Sequence, residues 1–387
     1  MSRHYYLTRS GRLSRKDNTL LFELTNKEEE NNLLDSTNIL PNTELCTLDD
    51  LIASDGLGQL SSTADLDNVG NTNDDEYKAP VRVSERRVIP IEDVDTLWVF
   101  RELDLNARVL NFLSQHKIPI HFFNYYGYYS GTYYPREHLQ AGYVLVKQVR
   151  HYTIRKLRLI IAKEFVQSGL SNILRNLAYY NSRGIELTSL IKSIESELSN
   201  SSQAKNIDEL MGCEGRARAI YYKSFQPIMR NNVDFERRVK QPPDNMVNTL
   251  ISFANGLVYA TTLTQIYRTQ LDPTISFLHE PGYRRFSLAL DLAEVFKPIL
   301  ADRLIFKLFN TKQLNEKDFA QDLNCCYLKT SGRKIVLREW ETRLQTTIEH
   351  RRLKRKVSYE RLIRLECYKL VKHILNVEPY VGFRAWW

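Results

Sequence analysis

The segment FSLALDLAEVFKPIL, Phe286 to Leu300, holds the residues best placed to do chemistry. Ten of its fifteen residues are apolar and point all round a 3.6-residue period, so the spacing predicts a buried helix. Asp291 and Glu294 sit at i and i+3 within it, and Lys297 continues the same face. Ionised carboxylates taken out of water are costly without partners, so partners are required. A divalent cation is one solution, because carboxylate oxygens are hard ligands suited to Mg2+ or Mn2+. An ion pair with Lys297, or with an arginine from elsewhere, is the other, and the helix taken alone leans slightly towards the pair.

Two further segments bear on that balance. LHEPGYRR places His279 ahead of a Pro-Gly turn that leads into the same helix, with Arg284 and Arg285 following. A histidine there suits a ligand as well as a core residue. MGCEGRARAIYY puts Glu214 between Gly212 and Gly215, which allow close approach, and beside Arg216 and Arg218. That pattern reads either as an ion pair or as a metal site facing phosphate. Glutamate, histidine and an Asp/Glu from separate helices would form a mixed O/N site for Mg2+ or Mn2+, although spacing alone does not make them converge.

Other chemistries find no support. HEPGY lacks the second histidine of HExxH, and there is no P-loop and no GxGxxG after a strand. No GxSxG elbow or papain-like cysteine signature is present. The five cysteines have no CxxC spacing, which argues against a disulfide framework or a thiolate zinc site and fits a reducing cytoplasm. Adjacent Cys325 and Cys326 read as core residues. No stretch approaches the ~18–20 apolar residues of a membrane span, and the N-terminus has no apolar h-region of a secretory signal.

Such residues need a scaffold, and 387 residues suffice for about two to three domains. Hydrophobic content of 43% and charged content of 26% are globular values. YYLTRSGRLSRKDNTLLFE reads as a hairpin around a Gly-containing turn. VRVSERRVIPIEDVDTLWVF, a helix at LNARVLNFLSQHKI and the run PIHFFNYYGYYSGTYYP complete a small β-rich domain over residues 1–137. From 138 to 387 long 3.6-period segments predict a larger all-α domain, with Asn206 and Glu209 marking a helix start. The expected class is therefore α+β. The six tyrosines of NYYGYYSGTYY fit cross-strand pairs of an ordinary hairpin better than a base-stacking platform. Arg351 to Lys372 carries nine Lys and Arg on an apolar helical period, so residues 349–375 read as a basic amphipathic helical segment that favours phosphate.

Charge points the same way. The net charge of +8 conceals 13 acidic residues and no Lys or Arg between Glu28 and Glu76, within an insertion at 28–77 whose composition is that of a loose loop. The other 338 positions hold 54 basic against 33 acidic residues, a net of +21, which favours a polyanionic partner such as nucleic acid.

Together these strings resemble one family. YYLTRSGRLSRKDNTLLFE, IPIEDVDTLWVF, LNFLSQHKIPIHFFNYYGYYSGTYYPRE, MGCEGRARAIYY, ANGLVYA and LHEPGYRRFSLALDLAEVFKPILADR are similar, in order, to the CRISPR-associated adaptation integrase, a metal-dependent DNA endonuclease, with the tyrosine-rich part closest to the form of I-B systems. The resemblance implies a β-domain joined to a helical catalytic domain, a homodimer, and a heterohexamer with the small second adaptation protein. It implies metal ligands at Glu214, His279 and Glu294, with Asp291 in support and Lys297 near metal and DNA. It also implies Mg2+ or Mn2+, double-stranded DNA as substrate, and attack of a spacer 3′-OH on the repeat phosphodiester. Arg216, Arg218, Arg284 and Arg285 are expected to contact DNA. The alternatives are a non-catalytic basic DNA-binding scaffold and a transposon-type integrase of the same fold. The acidic insertion has no counterpart in the family pattern.

Overall fold

The structure, a computed structural model, describes residues 3–25, 83–139, 141–229, 233, 235–240, 242–282, 286–322 and 325–386. The acidic segment 28–76, Arg284 and Arg285 lie outside the described residues.

Three strands open the chain: β1 (Arg3–Leu7), β2 (Gly11–Lys16) and β3 (Thr19–Thr25). β4 (Val83–Pro90), β5 (Val94–Val99), β6 (Leu103–Leu105), α1 (Ala107–Gln115), β7 (Ile120–Phe123) and β8 (Tyr129–Tyr133) follow. They form two four-stranded sheets, ordered β1-β5-β7-β8 and β4-β3-β2-β6. The hairpin expected around the glycine of YYLTRSGRLSRK is replaced by a different pairing. β2 and β3 pair antiparallel through a two-residue loop at Asp17-Asn18, where Asp17 takes φ +52°. β1 leaves for the other sheet and runs parallel to β5. Gly11 opens β2 where a Cβ would stand 2.4 Å from the Glu23 carbonyl oxygen, so its role is close strand approach.

β5 explains how this half meets the rest. Its TLWVF run lacks the polar alternation of a half-exposed strand. Leu97 and Val99 enter a small core with Leu13, Phe22, Val109 and Phe112, between the sheets and α1. Trp98 and Phe100 point the other way and join the large helical core. The sheet is thus buried on both faces, as parallel strands usually are.

The helical half contains α2 (Gly142–Thr153), α3 (Arg155–Asn181), α4 (Thr188–Gln203), α5 (Ile207–Tyr222) and α6 (Phe225–Ile228). Then come α7 (Met246–Tyr267), α8 (Ser287–Lys297), a π turn (Pro298–Asp302) and α9 (Arg303–Asn310). β9 (Phe319–Asp322) and β10 (Cys325–Leu328) make a short hairpin before α10 (Thr330–Gln345). Cys325 and Cys326 are buried there, as expected of core residues. α7 is buried from Val247 to Tyr267 and forms the axis of the domain, as an all-round apolar helix must.

The basic C-terminal segment is not one helix. β11 (Thr347–His350) and β12 (Arg355–Ser358) form a hairpin, and only then does α11 (Tyr359–Ile374) begin. Lys354 takes φ +50° in the intervening turn, and Ser358 caps α11 by accepting from the Arg361 N–H at 3.2 Å. Helical spacing at 351–358 was mimicked by residues that alternate, because short apolar runs fit both periods. Among the described residues no helix is long and apolar enough to cross a membrane.

Candidate active site

α5 starts where its capping signature placed it. The Asn206 side chain accepts from the Glu209 N–H at 2.8 Å and its amide donates back to Glu209 at 2.9 Å. Fixing that start aims Glu214 and Arg218, four residues apart, along one face. Arg218 donates to Glu214 Oε1 at 3.4 Å and to Glu294 Oε2 on α8 at 2.6 Å. Its other terminal nitrogen stands 3.9 Å from Asp302. Arg216 does not join this cluster: two residues along a helix is more than half a turn round. It forks onto Glu197 of α4 at 2.9 and 2.8 Å.

α8 is held against α3 by small and polar residues. Gly169 passes so near that a Cβ there would lie 3.1 Å from the Glu294 carbonyl oxygen. Asn172 donates to the Val295 carbonyl at 2.9 Å and Asn176 to the Pro298 carbonyl at 2.8 Å. Both amides are buried, and they bind carbonyls on either side of the break from α8 to the π turn. The π turn that follows brings Asp302 back to Arg218. Asp302 was missed in the sequence. Its signal was the spacing of eight from Glu294, two steps of four through Pro298, at the end of an otherwise apolar run.

His279 is set by Asp291. One Asp291 oxygen accepts from the Phe277 and Leu278 N–H groups at 2.6 and 2.9 Å. The other accepts from the His279 N–H at 3.0 Å and meets His279 Nδ1 at 2.8 Å. With four contacts and no exposure, this carboxylate is a positioning group. Its bond to Nδ1 leaves Nε2 as the imidazole nitrogen for a ligand. Lys297 Nζ donates to Glu294 Oε1 at 2.5 Å.

The electrostatics follow from burial and these partners. Burial pushes Glu294 towards neutrality, but Lys297, Arg218 and His279 override it and hold the carboxyl at about 2. Burial likewise opposes the charged form of His279, yet the Asp291 bond and charge carry it above its ordinary value. Burial dominates at Asp302, raised to about 6 despite Arg218. The resulting group brings together Glu214, Asp291, Glu294 and Asp302 with Arg218, Lys297 and His279.

Two glutamates and an imidazole are a donor set that suits Mg2+ or Mn2+. In the described arrangement the Arg218 guanidinium bridges Glu214 and Glu294, so a cation already stands between the two carboxylates. Among the described residues the one His/Asp/Glu group with ligand atoms all within 4.8 Å of one another lies elsewhere. It consists of His4 on β1, Asp95 on β5 and Glu360 at the start of α11. Sequence reasoning did not find that group, because its members are 91 and 265 residues apart.

A family model described as "CRISPR associated protein Cas1" matches residues 72–342. The chain is 50% identical over 303 residues to the CRISPR-associated endonuclease Cas1 of Fusobacterium nucleatum, covering 78% of this chain and 90% of that protein. It is 49% identical over 303 residues to CRISPR-associated endonuclease Cas1 3 of Thermodesulfovibrio yellowstonii, covering 78% and 92%. The solved structure of a Cas1 protein from Thermotoga maritima superimposes with a TM-score of 0.75 at 35% identity, over 98% of this chain and all of that one. A casposase bound to integration product shares the fold with a TM-score of 0.77 at 18% identity, over 99% and 93%.

Proposed function

Since the chain belongs to the CRISPR-associated Cas1 family, we propose that it is a metal-dependent DNA endonuclease and integrase that inserts spacers into a CRISPR array. The observation that carries this reading is that Glu214 and Glu294, from separate helices, share Arg218, while Lys297 pairs with Glu294 and His279 lies near enough to feel the charge of Glu294. The relatives are named as endonucleases, and a solved Cas6-RT-Cas1–Cas2 complex shares the fold at a TM-score of 0.75 and 15% identity. Double-stranded DNA as substrate, a homodimer, the small second adaptation protein as partner and the cytoplasm as location belong to this proposal.

Glu214, His279 and Glu294 would hold Mg2+ or Mn2+. When bound, such an ion polarises a phosphoryl oxygen and offsets charge on the departing one. The chain itself supplies the rest. Asp291 keeps His279 in one orientation with Nδ1 engaged, which is the usual way to fix a ligand's tautomer. Lys297 and Arg218 keep Glu294 anionic in a buried place where it would otherwise take up a proton. Both cations would also offset negative charge on the five-coordinate phosphorus of the reaction. With the 3′-OH of the incoming DNA as nucleophile, no catalytic Ser, Cys or Tyr is required.

The test is joining of a labelled 3′-OH duplex to supercoiled plasmid with Mg2+ or Mn2+. Wild type should join and EDTA should stop it, while Glu214→Gln, His279→Ala and Glu294→Gln should be inactive yet bind DNA. Wild-type binding without joining, even with the small partner protein added, would leave a DNA-binding scaffold as the better reading.

A further inference from the structure

Resting on the DNA reading above, we infer that the pocket between the β7–β8 turn and the start of α10 is a phosphate subsite for a single DNA strand, with Tyr125 as the platform for its base. The pocket encloses about 160 Å3 and is lined by Arg101, Tyr125, Tyr327, Lys329, Thr330 and Arg333. It lies outside the cluster of Glu214, His279 and Glu294 and shares no residue with it.

Its charge is positive and uncompensated. Arg333 is 2% exposed. It donates to the Phe100 carbonyl at 3.0 Å and to the Tyr125 carbonyl at 2.8 Å, and its Nε has no partner. Arg101 donates to Thr330 Oγ1 at 2.8 Å, lies over the Tyr125 ring at 4.9 Å, and also has a buried Nε without a partner. Among the described residues neither forms an ion pair. Burial, then the charge of Arg101, push Arg333 down to about 10. One buried and one half-buried guanidinium, each with an orphaned Nε and no ion pair among the described residues, are costly unless an anion completes them.

Other features favour phosphate. α10 is a sixteen-residue helix whose start carries no side-chain cap and no acid in its first turn, and Lys329 and Thr330 at that start line the pocket. The Asp318 carboxylate, near the start of α10, is engaged by the Ser331 hydroxyl at 3.1 Å and the Asn315 N–H at 3.2 Å. A planar guanidinium fork suits phosphate oxygens better than a small halide.

The aromatic wall suggests a nucleotide rather than a free ion. Tyr125 is 39% exposed and is braced edge-on by Tyr126 at 5.4 Å and by a tilted Tyr327 ring at 5.7 Å. Gly127 makes the turn that presents it, with φ +91° and Phe253 packed 3.0 Å from where a Cβ would be. Burial and then Asp322 raise the Tyr126 phenol, and burial, Tyr125 and then Asp322 raise that of Tyr327, which places Asp322 at the tyrosine edge. Such a wall stacks bases without reading sequence. The tyrosine run therefore divides: Tyr128 is buried in the hairpin, while Tyr125 serves the pocket.

The test is fluorescence anisotropy with a labelled single-stranded oligodeoxynucleotide over a range of salt, with thermal melting as a fold control. Tyr125→Ala should weaken binding by about tenfold and leave the salt slope unchanged, and Tyr125→Phe should restore it. Arg101→Gln should reduce the salt slope by about 0.7, the single-strand value for one phosphate contact. Because Arg101 also holds Thr330, Lys329→Gln at the exposed rim provides a second reading, with a smaller loss in the same direction. Normal binding by all variants, with wild type binding and joining DNA, would overturn the subsite alone. A wild type that binds no DNA would overturn both this inference and the function it rests on. Competition of the oligonucleotide by millimolar orthophosphate, lost in Arg101→Gln only, would favour a free-anion site and overturn the strand assignment.

Discussion

Two buried clusters in this molecule share nearly the same ingredients and differ in what their carboxylates are free to do. In one, His4, Asp95 and Glu360 lie close enough for a single ion, but Arg268 donates to Asp95 at 2.5 Å and stands 3.5 Å from Glu360. Gln265 adds a bond to Glu360 at 2.8 Å, so positive and negative groups already balance. In the other, His279, Glu214 and Glu294 share Arg218 and Lys297 with a further acid, Asp302. Compactness favours the first cluster as a metal site, whereas charge balance favours the second. The first ties β1 and β5 to the ends of α7 and α11, which is the work of a staple between the two halves. A guanidinium stands between two carboxylates in both clusters, so proximity of ligating atoms does not choose between them, and the surplus of acids in the second does.

The sharpest way to break that contrast is to exchange the losses. Glu294→Gln or His279→Ala should lower joining by about a thousandfold or more, a few kcal/mol of transition-state stabilisation. His4→Gln should leave the folded protein's joining rate nearly unchanged. A metal-dependent rate that falls with His4→Gln would reverse the assignment of the two clusters.

Stability should respond in the opposite sense. Arg268→Ala leaves half-buried Asp95 without its guanidinium and Glu360 with His4, Gln265 and Arg364 only, at a cost of about 1–3 kcal/mol in urea unfolding. The pH dependence carries the same signature. His4 is opposed by burial, but the Glu360 bond and the nearby carboxylates raise it above 6.5. A raised histidine contributes stability that is whole below its unfolded value and fades as pH climbs from about 6.5 through the folded value. Wild type should therefore lose stability over that alkaline window, and His4→Gln should flatten the slope. Glu360, held at about 2, acts at the other end, its contribution fading as pH falls from about 4.5 towards 2.

Asp291→Asn tests positioning within the second cluster. It should cost about 10–100-fold in metal affinity or joining, the range for groups that orient a ligand, with DNA binding retained. The mildest change is Arg216→Ala. That arginine is 57% exposed in its side chain and forked onto Glu197, so removing it should shift stability by less than about 1 kcal/mol. It should also change joining far less than Arg218→Ala, and equal effects would show that the two arginines act together after all.

Local rules made much of this legible in advance. The α+β order, the apolar helix with Asp291, Glu294 and Lys297, the cap at Asn206 and the buried Cys325-Cys326 pair rest on periodicity and short-range chemistry. The first hairpin and the residues at 349–358 came out differently, because β pairing partners and short amphipathic runs are chosen by distant neighbours. Strand β1 paired with β5, some ninety residues on, instead of with β2.

The sequence by itself determined the elements, the net positive charge outside the acidic segment, and the identity of the acids and bases that had to be compensated once buried. Tertiary structure decided which of them meet. It put Arg218 between Glu214 and Glu294 and turned Arg216 away. It folded Asp302 in through a π turn and assembled Arg101, Tyr125 and Arg333 from segments that no spacing connects. The reason is physical: helix and strand periods act over a few residues, whereas compensation of a buried charge acts through space and is indifferent to distance along the chain.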